Sequence, residues 1–472
     1  MVALPIRNPR TGAIEGTFAG ADATLVRERA NQLRLAQPAF ASLAMGDRAA
    51  LLLLWAEALR KRHAALLAAL CADTGRHRVE ELEIQAAIGG IERWARSGTT
   101  LEPQSGRSRA LPSVRYVCER VPYALTGVIS PWNFPLLLSL IDAVPALLAG
   151  SAVLIKPSEV TPRFVEPLRA SILDVPALAA VLDVMPGDGS TGAAVVDVAD
   201  IVCFTGSVAT GRKVARAAAE RLVPVFLELG GKDPLIVLPD SDLERATDAA
   251  LRASVQATGQ ACQSIERVYV HDSQHDAFVD LLVAKAQALA LNTPNIRQGH
   301  LGPIIFDRQA EVIAAQLADA IARGACVRTG GQVETHEGGR WLRPTVLTDV
   351  THQMTIMREE TFGPIIPVMC YRSVDEAVAL ANDSEFGLSA AVIGPDLDLA
   401  LAVASRIDVG AVSINDAGLT SLVHDAEKQS FKHSGLGGSR MGPAGLDRFF
   451  RKKAILIQEG PALSMAMLAE SP

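Results

Sequence analysis

The run Tyr123-Ala-Leu-Thr-Gly-Val-Ile129 passes into Ser130-Pro-Trp-Asn-Phe-Pro135, an apolar stretch that reaches Gly150, and then Ala152-Val-Leu-Ile155. This grammar decides the fold. A short apolar run bounded by turn formers reads as a buried strand, and its recurrence after a helix-length segment reads as a strand–helix–strand unit. Residues 135–155 are apolar for long enough to suggest a membrane span, but Asp142, Pro145 and Gly150 interrupt them. They read instead as a buried helix followed by a buried strand. Further strands are expected at 181–185, 201–204 and 223–227, with helical segments between most of them. Such alternation predicts an α/β fold: a mostly parallel, Rossmann-like sheet covered on both faces, with ligand at the carboxyl ends of its strands.

Two glycine patterns compete for a dinucleotide's phosphates. Gly187-Asp-Gly-Ser-Thr-Gly192 matches GxGxxG literally, yet Asp188 would face a phosphate. Phe204-Thr-Gly-Ser-Val-Ala-Thr-Gly211 follows a strand and opens a helix without a nearby acid, so Gly206 and Ser207 are preferred. Lys156-Pro-Ser-Glu159 leaves its strand at the same edge, although these residues also suit an ordinary charged loop. A carboxylate there accepts ribose hydroxyls and repels a 2′-phosphate, which favours NAD over NADP.

Beyond residue 240 a second α/β alternation begins. Its opening carries Gly259-Gln-Ala-Cys262, and upstream lies Leu227-Glu-Leu-Gly-Gly-Lys232. A lone cysteine is more often a small buried hydrophobe than a nucleophile. Glu228, an acid between apolar residues just before a Gly-Gly break, supplies the matching base. Glu360, in Arg358-Glu-Glu-Thr-Phe-Gly-Pro364, could accept a second ribose or simply mark a helix end. Residues 114–121 and 450–458 mix charged and apolar side chains in the manner of exposed strands seeking a partner sheet.

At 472 residues the chain exceeds a single compact core. The expected division is a dinucleotide-binding domain (1–105 and 123–232), a catalytic domain (233–440) and an oligomerisation arm (106–122 and 450–472). A net charge of −7 disfavours nucleic acid and anionic membranes as partners. Six scattered cysteines, with no CxxC and no cysteine–histidine spacing, fit reduced thiols in a cytoplasm and indicate no metal site. The N-terminus lacks a secretory pattern.

Taken together, the motifs resemble those of the aldehyde dehydrogenase superfamily, in that family's order: Ser130–Pro135, Lys156–Glu159, Phe204–Ser207, Leu227–Lys232, Gly259–Cys262 and Glu360–Pro364. The resemblance implies an NAD-dependent enzyme that oxidises an aldehyde to its acid. It implies Cys262 as nucleophile, Glu228 as general base and Asn133 as an oxyanion donor. It further places Lys156 and Glu159 on the adenosine ribose, Trp132 and Ser207 near the pyrophosphate, Glu360 on the nicotinamide ribose and Phe362 beside the ring. A homodimer or homotetramer is implied by the arms.

Several positions depart from the family pattern. Gln263 and Ser264 follow the cysteine where small apolar residues are usual, and Val255-Gln256 replace tunnel aromatics. Asp142 stands where a lysine is often found. Asp425-Ala-Glu-Lys-Gln-Ser-Phe-Lys-His-Ser-Gly-Leu-Gly437 replaces the usual Pro-Phe-Gly-Gly segment, so the identity of the aldehyde does not transfer. Rival readings are a coenzyme A-acylating relative, which needs no water-activating glutamate, a silent binding protein of the same fold, and a cofactor-free cysteine hydrolase, which would leave the nucleotide motifs unexplained.

Overall fold

The computed structural model describes residues 2–97 and 104–470. Its first sheet runs in the order Gly435–Leu436, Val225–Glu228, Ile201–Thr205, Leu125–Ile129, Ala152–Lys156, Leu182–Val184. The last five strands are parallel, and Gly435–Leu436 adds antiparallel to Val225–Glu228. From Leu125–Ile129 the chain winds outward through Ala152–Lys156 to Leu182–Val184, then returns to the other side at Ile201–Thr205. That reversal is a topological switch point, and it opens a crevice outside the strands' carboxyl ends.

Residues 135–155 form the expected helix and strand, Pro135–Ala149 and Ala152–Lys156. Gly150, at φ 103°, closes the helix in the left-handed conformation that a residue with a Cβ resists. The strand is buried throughout and, with Leu136, Leu140 and Leu147 of the helix, belongs to one apolar core.

The second sheet has seven strands: Cys326–Thr329, Thr345–Thr348, Ile365–Tyr371, Ile265–His271, Asp233–Val237, Ala390–Ile393 and Val412–Ile414. Ile236 and Tyr269 face one core, whereas Leu235, Val237, Val268 and Val270 face another. Both faces of the sheet are therefore covered, which explains near-continuous apolar strands in place of alternation. Val412–Ile414 lies at the edge of this sheet and is only partly buried.

A third sheet joins Gln104–Arg107, Val114–Pro122 and Phe450–Gln458, with Phe450 opposite Pro122 and Gln458 opposite Val114. Two expected boundaries shift. Gln104–Arg107 already belongs to this small sheet, and the pairing of Gly435 with Glu228 returns the chain to the first sheet before residue 440. The hairpin Val2–Arg7 with Ile14–Gly20 was not foreseen, because Pro5 and the lack of clean alternation hide it. Residues 23–74 form three helices, Ala23–Ala41, Met45–Lys61 and His63–Thr74, with Arg62 as the break between the last two. Among the described residues no helix is long and apolar enough to cross a membrane, and no cluster of metal-binding side chains occurs.

Candidate active site

The switch-point crevice gathers eight of the ten expected site residues. Trp132 and Asn133 follow the strand ending at Ile129, Gly206 and Ser207 follow the one ending at Thr205, and Glu228 ends the next. All five line one crevice with Cys262, Glu360 and Phe362. Ser207 is the N-cap of the helix Val208–Glu220, with its hydroxyl accepting from the Thr210 amide. The amides of that first turn make an anion-binding helix end. Lys156 and Glu159 lie apart from this lining, at the carboxyl end of the neighbouring strand, where they form an ion pair of 2.8 Å. Gly187 follows Leu182–Val184, the far edge of the sheet, and Asp188 caps its own helix by accepting from the Ser190 amide. The literal GxGxxG match is thus a helix-capping turn away from the crevice.

Cys262 hangs on a strained loop. The helix Leu243–Val255 ends, and Ala257, Thr258 and Gly259 then take φ values of 54°, 61° and 67°. A β-branched threonine in that region is unfavourable, so the surroundings must hold it there. Thr258 donates to the Gly302 carbonyl, and the Gln260 amide bridges the Pro303 carbonyl and the Ile305 N–H. Asn133 Nδ2 donates to the Gln260 carbonyl at 3.0 Å, and the Asn133 carbonyl accepts from Arg76 at 2.6 Å. An amide nitrogen carries two hydrogens, so Asn133 fixes the cysteine loop with one and keeps the other.

Close approach explains the motif glycines. A Cβ at Gly230 would lie 2.6 Å from the Glu360 carboxylate, and one at Gly231 would lie 2.5 Å from the Cys262 carbonyl. A Cβ at Gly259 would sit 2.3 Å from the backbone of Gly363. The Gly-Gly, cysteine and Glu-Thr-Phe-Gly-Pro motifs are therefore a single packed unit. Lys232 and Glu266, a buried ion pair of 2.6 Å, lock it: Glu266 accepts from the amides of Thr361 and Phe362. The Phe362 ring then meets Trp132 edge-on, 5.3 Å between centroids. Burial, and next the like charge of Glu266, raise Glu360 to a pKa of about 8, although the Gly231 N–H donates to it at 3.0 Å.

Cys262 keeps some exposed surface, yet desolvation pushes its thiol up to a pKa of about 12. Lys428 opposes this, while Glu360, Glu228 and Asp233 add to it. Glu228 accepts from the Ser430 hydroxyl at 2.8 Å. Lys428 and Ser430 both belong to the divergent 425–437 segment. The unexpected Asp142 is buried and paired with two arginines, Arg440 at 2.8 Å and Arg448. Arg440 also donates to Thr205 at 2.6 Å and lines the cavity that holds Cys262 and Glu228.

A thiol, a carboxylate and a side-chain amide thus converge on the switch-point crevice. The Aldehyde dehydrogenase family profile matches residues 2–455. The chain belongs to the aldehyde dehydrogenase family. Members of this family oxidise aldehydes to acids with NAD(P), and the chain is an enzyme of that kind. It is similar in structure to a protein described as the aldehyde dehydrogenase PutA of Anabaena variabilis, with a TM-score of 0.96, 48% identity and coverage of 98% of this chain and 99% of that one. A betaine aldehyde dehydrogenase from Staphylococcus aureus, solved with NAD+, matches with a TM-score of 0.93 and 27% identity over 98% and 93% of the two chains. In sequence the chain is 35% identical to 4,4'-diapolycopene aldehyde oxidase of Methylomonas sp, over 97% of this chain and 84% of the relative.

Within this aldehyde dehydrogenase, sequence reasoning missed Lys428, Ser430, Arg440 and the Arg76 contact to Asn133. The substitution at 142 and the altered 425–437 segment were the only signals for the first three. Nothing marked Arg76, whose part depends on a contact 57 residues away in sequence.

Proposed function

We propose that this protein oxidises an aldehyde to its carboxylic acid with NAD, through an acyl group carried on Cys262. The observation that carries the reading is the convergence of Cys262, Glu228, Asn133, Ser207 and Glu360 on one crevice at the switch point. The Cys262 sulfur adds to the aldehyde carbon. The free N–H of Asn133 and the Cys262 backbone N–H stabilise the oxyanion that forms. NAD, when bound, accepts the hydride that the tetrahedral adduct releases. Glu228 then takes a proton from water as the water attacks the thioester, and the acid departs. Lys428 eases thiolate formation in a site that otherwise opposes it.

For NAD the residues present fit. Lys156 and Glu159 offer a cation and a carboxylate for ribose hydroxyls, Ser207 with its helix end and Trp132 would hold the pyrophosphate, and Phe362, edge-on to Trp132, would lie beside the ring. A carboxylate at Glu159, beside the ribose hydroxyls, disfavours a 2′-phosphate, so NAD is preferred to NADP. The neighbour solved with NAD+ supports this assignment. The exposed strand Phe450–Gln458, with Leu456 open to solvent, suits strand sharing in a dimer or tetramer.

The direct test is absorbance of reduced nicotinamide on mixing the protein with NAD and a broad aldehyde panel. Signal with at least one aldehyde, independent of coenzyme A, is expected; silence across the panel refutes the reading. Asn133→Ala should lower kcat/KM by about a hundredfold, on the order of 3 kcal/mol, while the Kd for NAD changes little. Equal losses in turnover and NAD affinity would remove Asn133 from the oxyanion site.

A further inference from the structure

Resting on the assignment of Cys262 as the acyl carrier, the shape and lining of the cavity that ends at its sulfur point to the class of aldehyde. That cavity measures about 1780 Å³. Small-molecule sites usually enclose about 300–1,000 Å³, so an acetaldehyde-sized substrate would leave most of it filled with water. Its lining includes Cys262, Asn133 and Glu228 together with residues of the helices Arg78–Ser97, Pro135–Ala149 and Leu243–Val255.

The walls combine aliphatic side chains with polar ones, and most of the lining surface is apolar. Leu82, Leu137, Ile141, Val255, Leu422 and Met441 all face the cavity. Two of them are large apolar side chains left open to solvent, Leu82 at 45% and Leu422 at 67% exposure. A contiguous exposed apolar surface leading to a reactive group is what a hydrophobic ligand would cover. Val255 stands where the resemblance would place a tunnel aromatic, a smaller side chain at that point of the lining. Three of the arginines along it are ion-paired: Arg252 with Asp416, Arg78 with Glu81, and Arg440 with Asp142, which it shares with Arg448. Near the sulfur, Lys428 is the cation whose charge acts on the Cys262 thiol.

We propose that the substrate is a long, apolar aldehyde whose chain lies along the Leu137–Ile141–Leu422 wall while its carbonyl reaches Cys262. Each methylene buried there should raise kcat/KM by up to about fourfold, until the chain outgrows the walls.

The test is a series of unbranched aldehydes from propanal to hexadecanal, together with the anionic 4-oxobutanoate, assayed with NAD. The expected result is a rise in kcat/KM of at least tenfold from propanal to decanal, with 4-oxobutanoate below hexanal. In Leu422→Asp, a change at an exposed loop position, the decanal-to-propanal ratio should fall at least tenfold. A flat or falling series overturns the proposal. So does a plateau by butanal, which would assign the outer walls to a protein partner. Preference for 4-oxobutanoate overturns it in favour of a carboxylate-bearing substrate held by Lys428 and Arg93. Absence of oxidation with every aldehyde would instead strike the assignment of Cys262 itself, on which the proposal rests.

Discussion

Cys262→Ala is expected to abolish aldehyde oxidation, by about 10⁴-fold or more, since no other group can carry the acyl intermediate. The fold should survive, because Cys262 is only half-buried and alanine fits wherever cysteine does. NAD affinity, read by quenching of tryptophan fluorescence, should stay within a fewfold, as Trp132 and the Ser207 helix end are untouched. Glu228→Gln makes the complementary prediction. Attack by the sulfur and hydride transfer proceed, but water is no longer deprotonated, so acyl-enzyme accumulates. Rapid mixing should then give a burst of about one reduced nicotinamide per active site, followed by a steady rate at least about a hundredfold below the parent. A Glu228→Gln protein that turned over at the parental rate would show that water is activated elsewhere. A Cys262→Ala protein that still oxidised aldehydes would dismantle the mechanism.

The two variants also separate what was legible in the sequence from what was not. Cys262, Glu228, Asn133 and Glu360 sit in short motifs because backbone packs on backbone around them. Gly230, Gly231 and Gly259 admit no side chain, and such constraints stay local in sequence. The strands from 125 to 228 were legible for a related reason: each is an apolar run with a turn at either end, as burial on both faces requires. The antiparallel addition of Gly435–Leu436 to Glu228 had no such signature, since two residues cannot display a period. Ser430 and Lys428 reach the site only because that pairing brings the 425–437 segment back to the first sheet. Contacts closed over some 200 residues, such as Ser430 with Glu228, are set by topology and leave no mark in spacing. The literal GxGxxG at 187–192, set aside in the sequence because of Asp188, has glycines that serve a capped turn: a Cβ at Gly187 would strike Thr191.

Asp142→Asn is expected to destabilise the folded protein by about 3–5 kcal/mol. Asp142 is only 2% exposed and lies between Arg440 and Arg448, themselves 10% and 4% exposed. Burial alone would raise its pKa, but the two guanidiniums outweigh that cost and hold it below the ordinary carboxylate range. An asparagine of the same shape removes the charge and leaves two buried cations facing each other. Because the folded-state pKa is depressed, the stability that Asp142 contributes is fully present above the unfolded value of about 4. It is lost only as pH falls through the lower folded value. The gap between parent and Asp142→Asn in denaturant midpoint should therefore hold steady from pH 8 to pH 5 and narrow below about pH 4. Arg440 links this pair to function, since it also donates to Thr205, one residue before Gly206, and senses the charge of Glu228. Loss of its anchor should lower turnover as well as stability, and Asp142→Glu, which keeps the charge, should recover part of both. A denaturant shift worth less than about 1 kcal/mol would mean that water already reaches the arginines, and that the charge at 142 does not hold the C-terminal segment against the site.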